Sequence, residues 1–102
     1  MLTSSAVVAT DAPARYAKQL LSHLGRKNTV EPLDGAPDGG RLVFAYGTAE
    51  LRPDAGSLRM DAAAPDLEGL AHVEDVLARH LERFGARAEL AVRWERAAGE
   101  PA

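Results

Sequence analysis

The sequence has 102 residues, and its 12 basic and 15 acidic side chains give a formal net charge of −3, as expected of one small domain. It contains no cysteine, which excludes disulfides, thiolate catalysis and cysteine-bound metals. The acidic balance argues against nucleic acid, and no apolar run reaches the roughly 18 residues of a membrane span. With no export-signal pattern at the N-terminus, we expect one cytoplasmic domain over 1–102, with an ordered core at about 5–96.

The first elements are a strand and a helix. An apolar run at Ser5–Ala9 predicts the strand. A helix is predicted to follow as far as Lys27, with Thr10 and Asp11 as candidate N-caps and Asn28 as its stop. Its apolar positions recur every three or four residues: Ala17, Leu20, Leu21 and Leu24. One face of this helix is therefore expected to pack on a core.

Between Thr29 and Ala63 the apolar period changes to two, which indicates strands. Turn-forming residues divide this stretch into four predicted strands: Thr29–Leu33, Arg41–Ala45, Thr48–Arg52 and Ser57–Ala62. We predict a hairpin loop at Asp34–Gly40 and a two-residue hairpin turn at Tyr46-Gly47. The alternative for the second turn is a single strand bent at Gly47.

A second helix and a last strand complete the chain. The helix is predicted from Asp66, and one face carries six apolar residues: Leu67, Leu70, Val73, Leu77, Leu81 and Phe84. Gly85 is predicted to end it in the left-handed conformation. Strict alternation over Glu89–Glu95 predicts a strand that turns Leu90, Val92 and Trp94 towards the core. Residues 97–102 are expected to fray.

The order β-α-β-β-β-β-α-β predicts an α+β domain with a largely antiparallel sheet. Because each helix has one apolar stripe, both are expected on the same face of the sheet. The element order resembles the TATA-binding-protein-like and helix-grip arrangements. The other face is expected to be solvated and to carry interleaved charges: Glu50, Arg52, Arg59, Asp61, Arg93 and Glu95.

No residues are predicted to be catalytic. Ser22 beside His23 is the one helical nucleophile with a neighbouring base, but adjacent helical side chains diverge by about 100°. No cofactor motif is present, and we expect neither a metal nor a cofactor. His72 is expected at the surface beside Glu68, four residues earlier.

A groove between the two helices is the strongest candidate site. Tyr16, His23 and Lys27 share one flank of the first helix, and His80 lies at the edge of the second helix's apolar stripe. These side chains could therefore line one groove. In the alternative, both histidines are boundary residues whose ring nitrogens bond to local carbonyls.

The order and spacing of several segments resemble the bacterial family called domain of unknown function 2218. The segments are Ala14-Arg15-Tyr16, Leu20, His23, Lys27, a strand with Phe44 and Gly47, His80–Phe84 and Glu89–Trp94. The resemblance extends from about Ala6 to Trp94. At two positions where the family often has an aromatic residue and a second histidine, this chain has Leu24 and Arg26.

The resemblance implies an association with siderophore-interacting flavin reductases. It singles out five candidate ligand-binding residues: Tyr16, His23, Lys27, His80 and Arg83. We therefore expect a non-enzymatic binding or accessory module for an anionic small molecule, such as a ferric siderophore, with a flavin reductase as a possible partner. The alternative is a structural or protein-interaction module that forms a homodimer.

Overall fold

The computed structural model describes residues 1–97, which form six strands, two α-helices and one short 3₁₀ turn. In chain order they are β1 (Leu2–Ala9), α1 (Pro13–Leu24), β2 (Thr29–Leu33), β3 (Ala36–Phe44), β4 (Gly47–Asp54), β5 (Ser57–Ala64), α2 (Leu67–Phe84), the 3₁₀ turn (Ala86–Ala88) and β6 (Glu95–Arg96). Within these residues, neither helix has the length and apolar content needed to cross a bilayer. Fraying is predicted for residues 97–102, and residues 98–102 lie outside the described residues.

The six strands form one antiparallel sheet in the order β2-β3-β4-β5-β1-β6. Helix α1 packs over β3 and β4, and α2 packs over β5, β4 and β1. Both helices therefore cover the same face, and the predicted α+β class with its antiparallel sheet is confirmed. Because two helices cover a sheet six strands wide, edge strand β2 has little helical cover.

Leucines from both layers fill the core between the helices and the sheet. Leu20 of α1, Leu51 of β4 and Leu77 of α2 are each fully buried. Every second residue of β4 and β5 points to this layer, because successive side chains of a strand alternate between its faces. Leu67, predicted on the apolar face of α2, is 55% exposed, because it is the first helical residue and lies beyond the edge of the core.

The predictions for the strands before α2 need three corrections. β1 begins at Leu2 rather than Ser5, because its first residues pair with the end of β5. The predicted loop at Asp34–Gly40 is wrong: only the first two residues turn, and β3 starts at Ala36. The tight turn that follows β3 occupies Ala45 and Tyr46, with Phe44 opposite Gly47, so the bent single strand is wrong as well.

Glycine explains why the predicted loop is a strand. A side chain at Gly39 would collide with the Leu51 carbonyl of β4. At Gly40, a Cβ would lie 3.0 Å from Cδ1 of Leu21 on α1. These glycines therefore allow β3 to pass close to its neighbours, whereas the sequence pattern suggested that they form a turn.

Both helices differ from prediction at their ends. The hydroxyl of Thr10 accepts a hydrogen bond from the Ala12 amide at 3.1 Å, outside α1, which begins at Pro13. The helix ends at Leu24, three residues before the predicted end, and the Asn28 side chain donates to the Leu24 carbonyl at 2.8 Å. Asn28 therefore satisfies a helix-end carbonyl, although it lies beyond the last turn.

Helix α2 begins as predicted, because the Asp66 side chain accepts a hydrogen bond from the Gly69 amide at 2.7 Å. The prediction for Gly85 is wrong: its φ is −99°, and the left-handed residue is Glu89, with φ 55°. Gly85 is buried directly beneath Leu90, so space rather than φ requires a glycine there.

The last predicted strand is mostly irregular, and among residues 1–97 its ladder with β1 consists of Glu95 and Arg96. The carboxylate of Glu82 accepts a hydrogen bond from the Val92 amide at 3.0 Å. This amide is therefore bonded to a side chain rather than to a carbonyl of a neighbouring strand. The predicted alternation persists, with Trp94 half-buried against the core and Arg93 exposed. Trp94 therefore lies at the core margin rather than in its centre.

Candidate functional site

Two histidines meet across the helices. The rings of His23 on α1 and His80 on α2 lie 5.0 Å apart, and Phe84 presents its ring to His23 at 5.6 Å in an edge arrangement. Nδ1 of His80 is 2.7 Å from the Val76 carbonyl oxygen. Because a carbonyl only accepts hydrogen bonds, this contact places the ring proton on Nδ1, so Nε2 lacks a proton in the neutral ring.

A hollow of about 350 Å³ opens beside these rings, and we call it the interhelical cleft. Its lining residues are His23, Leu24, Arg26, Lys27, Asn28 and His80. No carboxylate lines it among residues 1–97. Two permanent cations and two titratable rings therefore surround one hollow, an arrangement suited to an anion.

Arg83 lies beyond the cleft, on the other side of His80. It lines an adjoining hollow of about 430 Å³ with Arg79 and Glu82. Arg79 pairs with Asp75 of the same helix at 3.0 Å. His80 therefore borders both hollows, and Arg83 contributes a cation near the cleft rather than in its lining.

Tyr16 is not brought to the cleft. Its side chain is buried, and the residue borders a depression near the start of α1 that Thr10 and Leu90 also line. Seven residues separate Tyr16 from His23, which is about 10 Å along a helix axis. The two residues share a helical flank, as predicted, but the cleft occupies only the last turn of α1.

His72 has a different partner from the one predicted. Instead of pairing with Glu68, its ring stacks on Tyr46 with centroids 3.7 Å apart and planes 8° apart. Tyr46 also stacks on Phe44 at 5.2 Å, and burial raises the pKa of the Tyr46 phenol. Tyr46 belongs to the β3–β4 turn, so its contact with α2 depends on tertiary structure.

The open face of the sheet carries most of the predicted interleaved charges: Glu50, Arg52, Arg59, Asp61 and Glu95. Arg52 lies 2.8 Å from Glu50, and Arg59 lies 3.1 Å from Asp61. A hydrogen bond from Arg41, followed by contact with Arg52, holds the pKa of the Glu50 carboxyl below its ordinary value. Because these guanidinium groups already contact carboxylates, this face is a poorer anion site than the cleft.

One ion pair with a buried carboxylate was not predicted from the sequence. Glu74 of α2 is almost fully buried and accepts two hydrogen bonds from Arg96, at 2.8 and 3.2 Å. The available signal was position: Glu74 follows Val73 and precedes Leu77 by three residues, so it falls on the apolar face of α2. The pair fastens β6 to α2.

The described residues thus define a small α+β protein with an antiparallel sheet, two helices on one face and a cationic cleft between them. A family model described as an uncharacterized protein conserved in bacteria (DUF2218) matches residues 5–95, and the chain belongs to this family. It is similar to the NMR structure of PA4090 from Pseudomonas aeruginosa, with 33% identity and a TM-score of 0.76 over 93% of this chain and 96% of that chain. No curated protein matches the sequence.

Proposed function

We propose that this protein is a cytoplasmic, non-enzymatic binding module whose interhelical cleft holds an anionic small molecule. The observation that carries the proposal is the composition of the cleft. Arg26 and Lys27 line it together with the facing rings of His23 and His80, and no carboxylate does so within the described residues. Charge-assisted hydrogen bonds to such cations are about twice as strong as neutral ones.

Proton uptake by His80 couples binding to pH. Because Nδ1 carries the proton in the neutral ring, Nε2 can donate to an anion only after the ring gains a second proton. The charged and titratable residues that line the two hollows with His80 are His23, Arg26, Lys27, Arg79, Arg83 and one carboxylate, Glu82. A bound anion offsets the positive charge around the His80 ring. We therefore expect binding to be tighter at acidic than at alkaline pH.

The ligand class is a carboxylate, phosphate or catecholate, which all offer anionic oxygens to nitrogen donors. A ferric siderophore with such groups fits this class, and the resemblance to the family supports it through the implied link with siderophore-interacting flavin reductases. A flavin reductase is then the partner that would use the bound iron complex.

The test is a titration with citrate, inorganic phosphate, 2,3-dihydroxybenzoate and ferric citrate at pH 5.5 and pH 8. We expect at least one probe to bind, about tenfold more tightly at the lower pH, which corresponds to about 1.4 kcal/mol. His23→Ala and Lys27→Ala should weaken binding several-fold. Arg93→Ala is the control, because it removes an exposed charge that does not line the cleft.

Two results would contradict the proposal. One is that none of the four probes binds at either pH. The other is that Arg93→Ala weakens binding as much as Lys27→Ala does. If no probe binds and the chain sediments as a dimer, the protein-interaction alternative replaces the binding module. The exposed Val7 side chain on the open sheet face is a natural contact for such a dimer.

A further inference from the structure

A second concavity, about 880 Å³ in volume, lies on the other flank of α1, between this helix and the first half of β3. We call it the edge groove. Pro37, Asp38 and Gly39 form its wall on β3. Next to them, Gly40 has no side chain and lets Leu21 of α1 approach the strand directly. Val30 of edge strand β2 remains 44% exposed beside it.

The edge groove is apolar at its base and cationic along its helical rim. Leu21, Val30 and Pro37 supply the apolar surface. The exposed side chains of Arg15 and Lys18 line the same flank of α1, spaced to lie on one helical face. Neither cation forms an ion pair with any residue in 1–97. The lining carboxylate is Asp38, so positive charge predominates.

We propose that the edge groove binds an amphiphilic monoanion, with a carboxylate or phosphate head at Arg15 and Lys18 and an apolar tail over Leu21, Val30 and Pro37. The volume falls within the range of about 300–1,000 Å³ typical of small-molecule sites. The tail distinguishes this ligand from the compact anion of the interhelical cleft. Arg26 borders both concavities, so the test leaves this residue unchanged.

The test compares acetate, hexanoate and decanoate by isothermal titration, with octyl glucoside as a neutral amphiphile. Affinity should rise about two- to fourfold for each methylene that the groove buries. Decanoate should therefore bind far more tightly than acetate. Octyl glucoside has no charge and should bind more than about tenfold more weakly than decanoate, which is a larger loss than its alkyl chain, shorter by one carbon, explains. Vesicles of phosphatidylglycerol test whether the same chemistry is recognised only on a lipid surface.

Two pairs of variants locate the site. Ser22 is exposed and lines the groove, so Ser22→Trp should fill it and abolish decanoate binding, whereas Ser22→Ala should bind within twofold of the wild type. Lys18→Glu should weaken decanoate binding at least tenfold. Arg93→Glu makes the same charge change outside the groove and should have less than a twofold effect.

The proposal is overturned if decanoate binds no better than acetate, if folded Ser22→Trp binds decanoate like the wild type, or if only vesicles bind. Its outcome is separate from that of the cleft. His23→Ala should leave decanoate binding intact, and Ser22→Trp should leave the binding of tail-less anions intact.

Discussion

The pair between Glu74 and Arg96 offers the sharpest test of how the chain end is held. Arg96→Ala removes both hydrogen bonds to a carboxylate whose side chain is only 11% exposed. The variant leaves Glu74 on the buried face of α2 without its partner. Within residues 1–97, β6 pairs with β1 at two positions, and the Ala97 amide donates one more hydrogen bond to the Thr3 carbonyl. Because this pairing is so short, the ion pair is a major tertiary anchor of the strand.

The expected loss of unfolding free energy follows from the unequal exposure of Glu74 and Arg96. Removing one member of a fully buried pair costs about 3–5 kcal/mol, whereas an exposed pair contributes about 0–1 kcal/mol. Glu74 is buried but the Arg96 side chain is 47% exposed, so water screens the pair partly. We expect Arg96→Ala to lower the free energy of unfolding by about 2 kcal/mol, or about 10 °C in Tm.

Urea unfolding followed by the fluorescence of Trp94, the single tryptophan, measures this change. The double variant Glu74→Leu/Arg96→Ala should recover most of the loss, because leucine suits the apolar face of α2 and leaves no buried charge. Arg93→Ala, on the same segment but exposed, should change stability by less than about 0.5 kcal/mol. The reasoning is refuted if Arg96→Ala unfolds at the wild-type urea midpoint, or if the double variant is no more stable than Arg96→Ala.

Two further predictions concern the core margin and the open sheet face. Trp94→Ala should lower the free energy of unfolding by about 2 kcal/mol, which is below the range of about 3–5 kcal/mol for a core tryptophan. The reason is that Trp94 is half-buried and its buried Nε1 has no acceptor within residues 1–97. Urea unfolding followed by circular dichroism measures the loss, and a value above about 3 kcal/mol would contradict this reasoning. Arg41 and Arg52 lower the pKa of Glu50 below 4.5, so its ionised form stabilises the fold above pH 4.5 and this contribution is lost as pH falls. Glu50→Gln should flatten the loss of stability between pH 4.5 and 2, Glu68→Gln is the exposed control, and an unchanged acid slope in Glu50→Gln would contradict the assignment.

The sequence predicted most of the architecture because periodicity is a local property. The positions of Leu70, Val73 and Leu77 define a helical face whatever they pack against. Alternation over β4 and β5 likewise identified strands before any partner was known. Local patterns failed at Gly39 and Gly40, where glycine serves close packing between strands and helix rather than a turn.

The candidate site was likewise predicted in part from the sequence. Helical phase placed His23 and Lys27 on one flank of α1, and the structure brings both to the cleft with His80. Helical phase gives the direction of a side chain around the helix axis but not its position along that axis. It therefore grouped Tyr16 with these residues, although Tyr16 lies buried two turns away from His23.

What the sequence by itself determined is therefore the set of elements, their order and the face that each one buries. Tertiary structure alone decided the partners that come from distant segments. Glu74 binds Arg96 from 22 positions further along the chain, and His72 stacks on Tyr46 of the β3–β4 turn. The physical reason is that these contacts depend on how α2 docks on the sheet, and the docking geometry follows from the packing of the whole core rather than from any local pattern.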